Sequence, residues 1–84
     1  MISEQTAARL RHIRQAGLYR LREIAREKGW PWERDLRVLK SIAHGSLEQA
    51  AEKNRLGCTS VKYILARYDE QAQTIIEEKR RKAN

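Results

Sequence analysis

Apolar residues recur at intervals of three and four along most of the chain, which is the spacing of one helical face. The first such stripe predicts one long N-terminal helix over residues 4–28, with Gly17 in its middle. A second stripe, which follows Pro31, predicts a helix over residues 32–44, because proline suits the first turn of a helix. The residues expected to face inward are Leu10, Ile13, Gly17, Leu18, Leu21, Ile24 and Ala25 in the first helix, and Leu36, Leu39, Ile42 and Ala43 in the second.

Two further helices are predicted in the second half of the chain. Ser46 and Gln49 have the spacing of a capping box, so a short helix is expected to start there and to end near Lys53 or Asn54. From Thr59 to about Arg80 the chain has no proline or glycine and keeps one apolar face. These patterns predict an all-α fold of four helices, in a single domain over residues 1–84. The expected inward residues are Leu47, Ala50 and Ala51, then Val61, Ile64, Leu65, Tyr68, Ala72, Ile75 and Ile76.

Composition narrows the classes of function. The 84 residues carry a net charge of +7, which favours a phosphate-rich partner such as nucleic acid. Cys58 is the single cysteine, and neither it nor His12 and His44 has neighbouring ligands, so we expect no disulfide, metal site or other cofactor. No paired acid and base groups indicate an enzyme. The N-terminus has no apolar run typical of a signal peptide, and no segment is apolar enough to span a membrane, so a reducing cytoplasm is the expected location.

The segment between the last two predicted helices has the spacing of a helix-turn-helix. Ala51 supplies a small contact residue, Leu56 follows the turn, and Val61 and Ile64 follow at helical spacing. On these residues the stretch "ERDLRVLKSIAHGSLEQAAEKNRLGCTSVKYILARY" resembles the helix-turn-helix of LuxR-type response regulators and of region 4 of sigma-70 factors. Arg55 stands where those families usually have glycine and Asn54 where they usually have an apolar residue, so the turn lies either there or at Gly57.

This resemblance implies a helix-turn-helix core over residues 32–68, in which the helix that starts near Thr59 is the recognition helix and reads the major groove of double-stranded DNA. The function that follows is that of a small sequence-specific DNA-binding protein, a transcriptional regulator. The alternative for the same side chains is an ordinary solvated helix surface. The resemblance implies base contacts from Thr59, Lys62, Tyr63 and Arg67, and phosphate contacts from Arg55, Ser60, Lys79, Arg80, Arg81 and Lys82.

The predicted last helix extends beyond the recognition segment, over residues 69–84, and ends in a basic tail. Its apolar face either packs on the N-terminal helix of the same chain or pairs with a second copy to form a homodimer. A different class of function is also open: a small helical protein-interaction module, of the kind that phage and mobile elements use to bind a host regulator or polymerase. In that case Ile75, Ile76 and the tryptophan pair would be contact surface.

Overall fold

The computed structural model describes residues 2–83. The two terminal residues of the predicted domain, Met1 and Asn84, lie outside the described residues. The described part of the chain folds into helices without a strand, and the all-α prediction is therefore confirmed. The prediction of four helices is wrong, because the expected N-terminal helix is two separate helices. The five are α1 (Glu4–Ala16), α2 (Leu18–Lys28), α3 (Trp32–His44), α4 (Leu47–Lys53) and α5 (Cys58–Ala83).

The break between α1 and α2 lies at Gly17. Its backbone has φ 96° and ψ 133°, a conformation that residues with a side chain rarely adopt. The Lys79 ammonium group of α5 donates hydrogen bonds to the last carbonyls of α1, at 3.4 Å from Gln15 and 3.3 Å from Ala16. The chain therefore changes direction after Ala16, and a tertiary contact takes the place of the backbone bonds that a continuous helix would make.

The core is built around α5, which each of the other four helices contacts. The inward face predicted for α5 is confirmed, since the seven residues that were expected to face inward, the first Val61 and the last Ile76, are all buried. Trp30 and Trp32 pack against the ring of Tyr68, with ring centroids 5.4 and 5.9 Å away. The inward face of the N-terminal region differs from the prediction, because the break at Gly17 turns the stripe and leaves Leu18 43% exposed.

Inward positions in the two middle helices also differ in part. Ala43, predicted to face the core, is exposed, whereas Val38 is fully buried beside Leu39 and Ile42. In α4 the two alanines, Ala50 and Ala51, are buried, as predicted. Small residues there allow α4 to pack closely against both α3 and α5.

Both ends of α4 are defined by local hydrogen bonds. The Ser46 hydroxyl accepts from the Gln49 amide at 3.1 Å, which is one half of the predicted capping box. At the other end Arg55 has a positive φ of 55°, and Gly57 does not. The Leu56 amide donates to the Ala51 carbonyl at 2.8 Å, and the Arg55 amide donates to Glu52 at 3.3 Å. This is a Schellman motif with arginine at the left-handed position, so the turn is at Asn54-Arg55.

Candidate nucleic-acid interface

The first turns of α5 have two different sides. Val61, Ile64 and Leu65 are buried and hold the helix against the rest of the fold. Thr59, Ser60, Lys62 and Tyr63 are exposed, and Tyr63 as a whole residue is 64% exposed. Four of the predicted DNA contacts therefore lie together on the solvent side of one short helical segment.

Arg67, predicted as a fourth base-reading residue, is placed differently. Its Nη2 atom donates to Asp35 Oδ2 at 2.7 Å, and its guanidinium carbon lies 4.2 Å from the centroid of the Trp30 ring. Only 17% of the side chain is exposed. Arg67 is therefore engaged in an internal ion pair, although its guanidinium carbon also lies 5.6 Å from the centroid of the Tyr63 ring and the residue lines one depression with Thr59 and Tyr63.

Asp35 is the centre of this internal cluster and was not among the predicted functional residues. Its carboxylate is fully buried and accepts from Arg34 Nε and Nη2 at 3.2 and 3.0 Å, from Arg67, and from the Tyr68 hydroxyl at 2.5 Å. Two cations and a phenol satisfy one carboxylate, as a buried charge requires. In the sequence, Asp35 precedes Val38, Leu39 and Ile42 at the spacing of one helical face. An acidic residue at the start of an apolar face is therefore the sequence signal by which Asp35 could have been found.

The same cluster changes the acidity of Tyr68. Burial, together with the hydrogen bond and the charge of Asp35, raises the pKa of the Tyr68 phenol far above its ordinary value. The phenol is therefore protonated and acts as a donor across the physiological pH range. Its contribution is to join α5 to α3 at one buried point.

A shallow depression of about 550 Å³ lies between α3 and the end of α4. We call it the basic trough. None of the described residues that line it is acidic. Its lining residues are Arg34, Arg37, Lys40, Ser41, Lys53, Asn54 and Arg55.

A second depression, of about 350 Å³, adjoins the basic trough at Arg34. Thr59, Ser60 and Tyr63 of the exposed α5 side line it, and Arg34 lines both depressions. The sequence explains part of this charge distribution, because no Asp or Glu occurs between Lys53 and Tyr68. The remaining cations of the trough, on α3, are brought there by the folding of the chain.

The predicted phosphate-binding tail lies elsewhere. Lys79, Arg80, Arg81 and Lys82 are exposed in the last turns of α5, roughly 30 Å along the helix from Thr59 at 1.5 Å per residue. Lys79 is engaged with the end of α1, and Arg81 lies 3.9 Å from Glu77. The tail is therefore not joined to the basic surface at the start of α5.

Comparisons of the chain with protein-family models, with curated proteins and with solved structures gave no match. None of the helices in residues 2–83 has the length and apolar character needed to cross a membrane. In the same residues, no three His, Cys, Asp or Glu side chains are grouped so as to hold a metal ion. Function is therefore inferred from the exposed α5 side and its basic surroundings.

Proposed function

We propose that this protein is a small sequence-specific DNA-binding protein, a transcriptional regulator, in which the first turns of α5 enter the major groove. The observation that supports it is the exposed polar side of α5, formed by Thr59, Lys62 and Tyr63. A helix that is held by its apolar side and presents polar side chains to solvent has the arrangement that major-groove reading requires. The net charge of +7 favours the same partner.

Each side chain has a proposed role that follows from its chemistry. Lys62 donates to a guanine edge, or to a phosphate next to it. Thr59 and Tyr63 contact a thymine methyl group or a phosphate, and Ser60 donates to a phosphate near the start of the helix. Arg67 acts in this proposal as a positioning residue, because its guanidinium is already bound to Asp35 and sets how α5 sits on α3.

The test is a fluorescence-anisotropy titration with duplexes selected from a random library, against scrambled duplexes at the same salt concentration. Lys62→Ala should weaken binding to the selected duplex by about 1–3 kcal/mol and relax the preference at one base pair. Arg22→Ala is the matched control, since it removes one exposed positive charge from α2. Equal affinity of the unmodified protein for selected and scrambled duplexes would refute sequence-specific reading. An unchanged affinity in both Lys62→Ala and Tyr63→Ala would refute the assigned face.

A single copy is sufficient for this proposal, and a homodimer stays a prediction. Ile75 and Ile76 lie on the face that was expected either to pack on the N-terminal helix or to pair with a second copy, and they are buried within the chain. The large apolar side chains exposed in the described region are Leu18, Tyr19 and Tyr63. A dimer would therefore be expected to use the start of α2. The exposed single cysteine, Cys58, suits the reducing cytoplasm in which we place this function.

A second candidate function, a protein-interaction module, is supported by a different surface. An apolar depression of about 530 Å³ lies between α1, the start of α2 and α3, and includes Leu10, Leu18 and Leu36. Salt dependence separates the two candidates: a complex with DNA weakens steeply as salt is added, because counterions are released, whereas an apolar protein contact does not.

A further inference from the structure

The charges of the basic trough have few partners inside the fold. Five of its seven lining residues are cationic, and among the described residues only Arg34 has a carboxylate within 4.0 Å. The two neutral residues are bound to each other, since Asn54 Nδ2 donates to Ser41 Oγ at 3.3 Å. A concave surface with several like charges and no carboxylate attracts an extended polyanion.

Compensation of helix dipoles explains only part of this charge. Lys53 and Arg55 lie at the C-terminal end of α4, where a positive charge is favourable. Arg37 and Lys40 lie in the middle of α3, where the dipole has no such effect. The acids of α4, Glu48 and Glu52, do not line the trough.

The backbone conformation of Arg55 also indicates that this part of the trough has a function. α2 ends in the same Schellman motif as α4, with the Trp30 amide donating to Ala25 at 2.8 Å, and there the left-handed position is Gly29. Glycine adopts this conformation without the steric cost that arginine bears at φ 55°. A strained residue at such a position suggests that its side chain is used.

We propose that the basic trough binds the sugar–phosphate backbone of the duplex whose major groove receives α5. The inference rests on the proposed function, and Arg34 provides the continuity, because it lines both the trough and the depression beside Thr59 and Tyr63. Contacts to phosphate oxygens add affinity and fix the register of the protein, whereas sequence is read by α5.

Arg55→Gly is the most informative variant, because it should change folding and binding in opposite directions. The melting temperature should rise, since glycine relieves the left-handed backbone, while affinity for selected and scrambled duplexes should fall by the same factor. The slope of log affinity against log salt should become shallower by about 0.9. Arg55→Lys keeps both the charge and the strained backbone and is the control that should retain the slope. A fall in melting temperature on Arg55→Gly would show that the side chain has a structural role and would overturn this part of the inference.

A triple variant, Arg37→Ala with Lys53→Ala and Arg55→Gly, tests the whole trough and should make the slope shallower by about 2.7, at 0.9 per phosphate contact. An unchanged slope in a protein that still prefers its selected duplex would refute binding of the DNA backbone by the trough and leave the proposed function intact. A shallower slope without any preference for the selected duplex would support binding of the DNA backbone by the trough and refute reading of the sequence by α5. If inorganic tripolyphosphate binds the unmodified protein more tightly than a duplex does, the assignment to nucleic-acid backbone is wrong.

Discussion

The buried carboxylate of Asp35 should be among the residues to which folding is most sensitive. Asp35→Asn keeps the shape of the side chain but removes the negative charge that Arg67 faces at 2.7 Å, in a place where only 17% of the arginine side chain is exposed. Removing one partner of a buried ion pair costs about 3–5 kcal/mol, because the other charge stays buried without compensation. For 84 residues the unfolding entropy is roughly 0.18 kcal/mol/K, so the melting temperature should fall by about 17–28 °C.

The measurement is thermal and urea unfolding followed by circular dichroism at 222 nm. Glu33→Gln is the matched control, since it removes an exposed acid from the same first turn of α3 and should shift stability by about 0.5 kcal/mol or less. The pair Asp35→Leu and Arg67→Met should be more stable than Asp35→Leu alone, because no buried charge is left. A loss below about 1 kcal/mol in Asp35→Asn, or a double variant no better than the single one, would refute this account of the cluster.

Three further predictions concern the backbone, pH and the contact between α1 and α5. Gly17→Ala should destabilise the fold by about 1–3 kcal/mol, because φ is +96° there, whereas Gly57→Ala, with an equally open site and no positive φ, should be close to neutral in urea unfolding. Stability should fall as pH rises above about 10, where the unfolded phenol ionises but Tyr68 stays protonated, and Tyr68→Phe should flatten this part of the unfolding profile. Lys79→Met should speed amide hydrogen exchange at the end of α1 if the ammonium group caps those carbonyls; unchanged exchange would contradict it.

Periodicity was sufficient to predict the long helix that organises the core. The apolar stripe of α5 runs without interruption from Val61 to Ile76, and burial follows it residue by residue. The break at Gly17 was not predicted, because the stripe continues across it and hydrophobic spacing carries no information about φ. The capping of α1 by Lys79 depends on a contact across 63 residues, which a local pattern does not contain.

The candidate site was predictable to a similar extent. The face opposite Val61 and Ile64 is exposed, so the position of Thr59, Lys62 and Tyr63 could be inferred from helical spacing. Arg67 shows the limit of that reasoning, because a long side chain can fold back to a partner that only the tertiary structure brings near. That partner, Asp35, is 32 residues away in sequence.

The contacts of Arg67 and Tyr68 with Asp35 also set the orientation of α5 relative to α3, and so the position of its first turns. Thr59 is eight residues from Arg67, or about 12 Å along the helix, so a tilt of α5 by roughly 10° about Arg67 would displace Thr59 by about 2 Å. A displacement of that size is enough to break a hydrogen bond. Substitutions in the interior, at residues far from solvent, would then shift the exposed side chains with which α5 is proposed to read DNA.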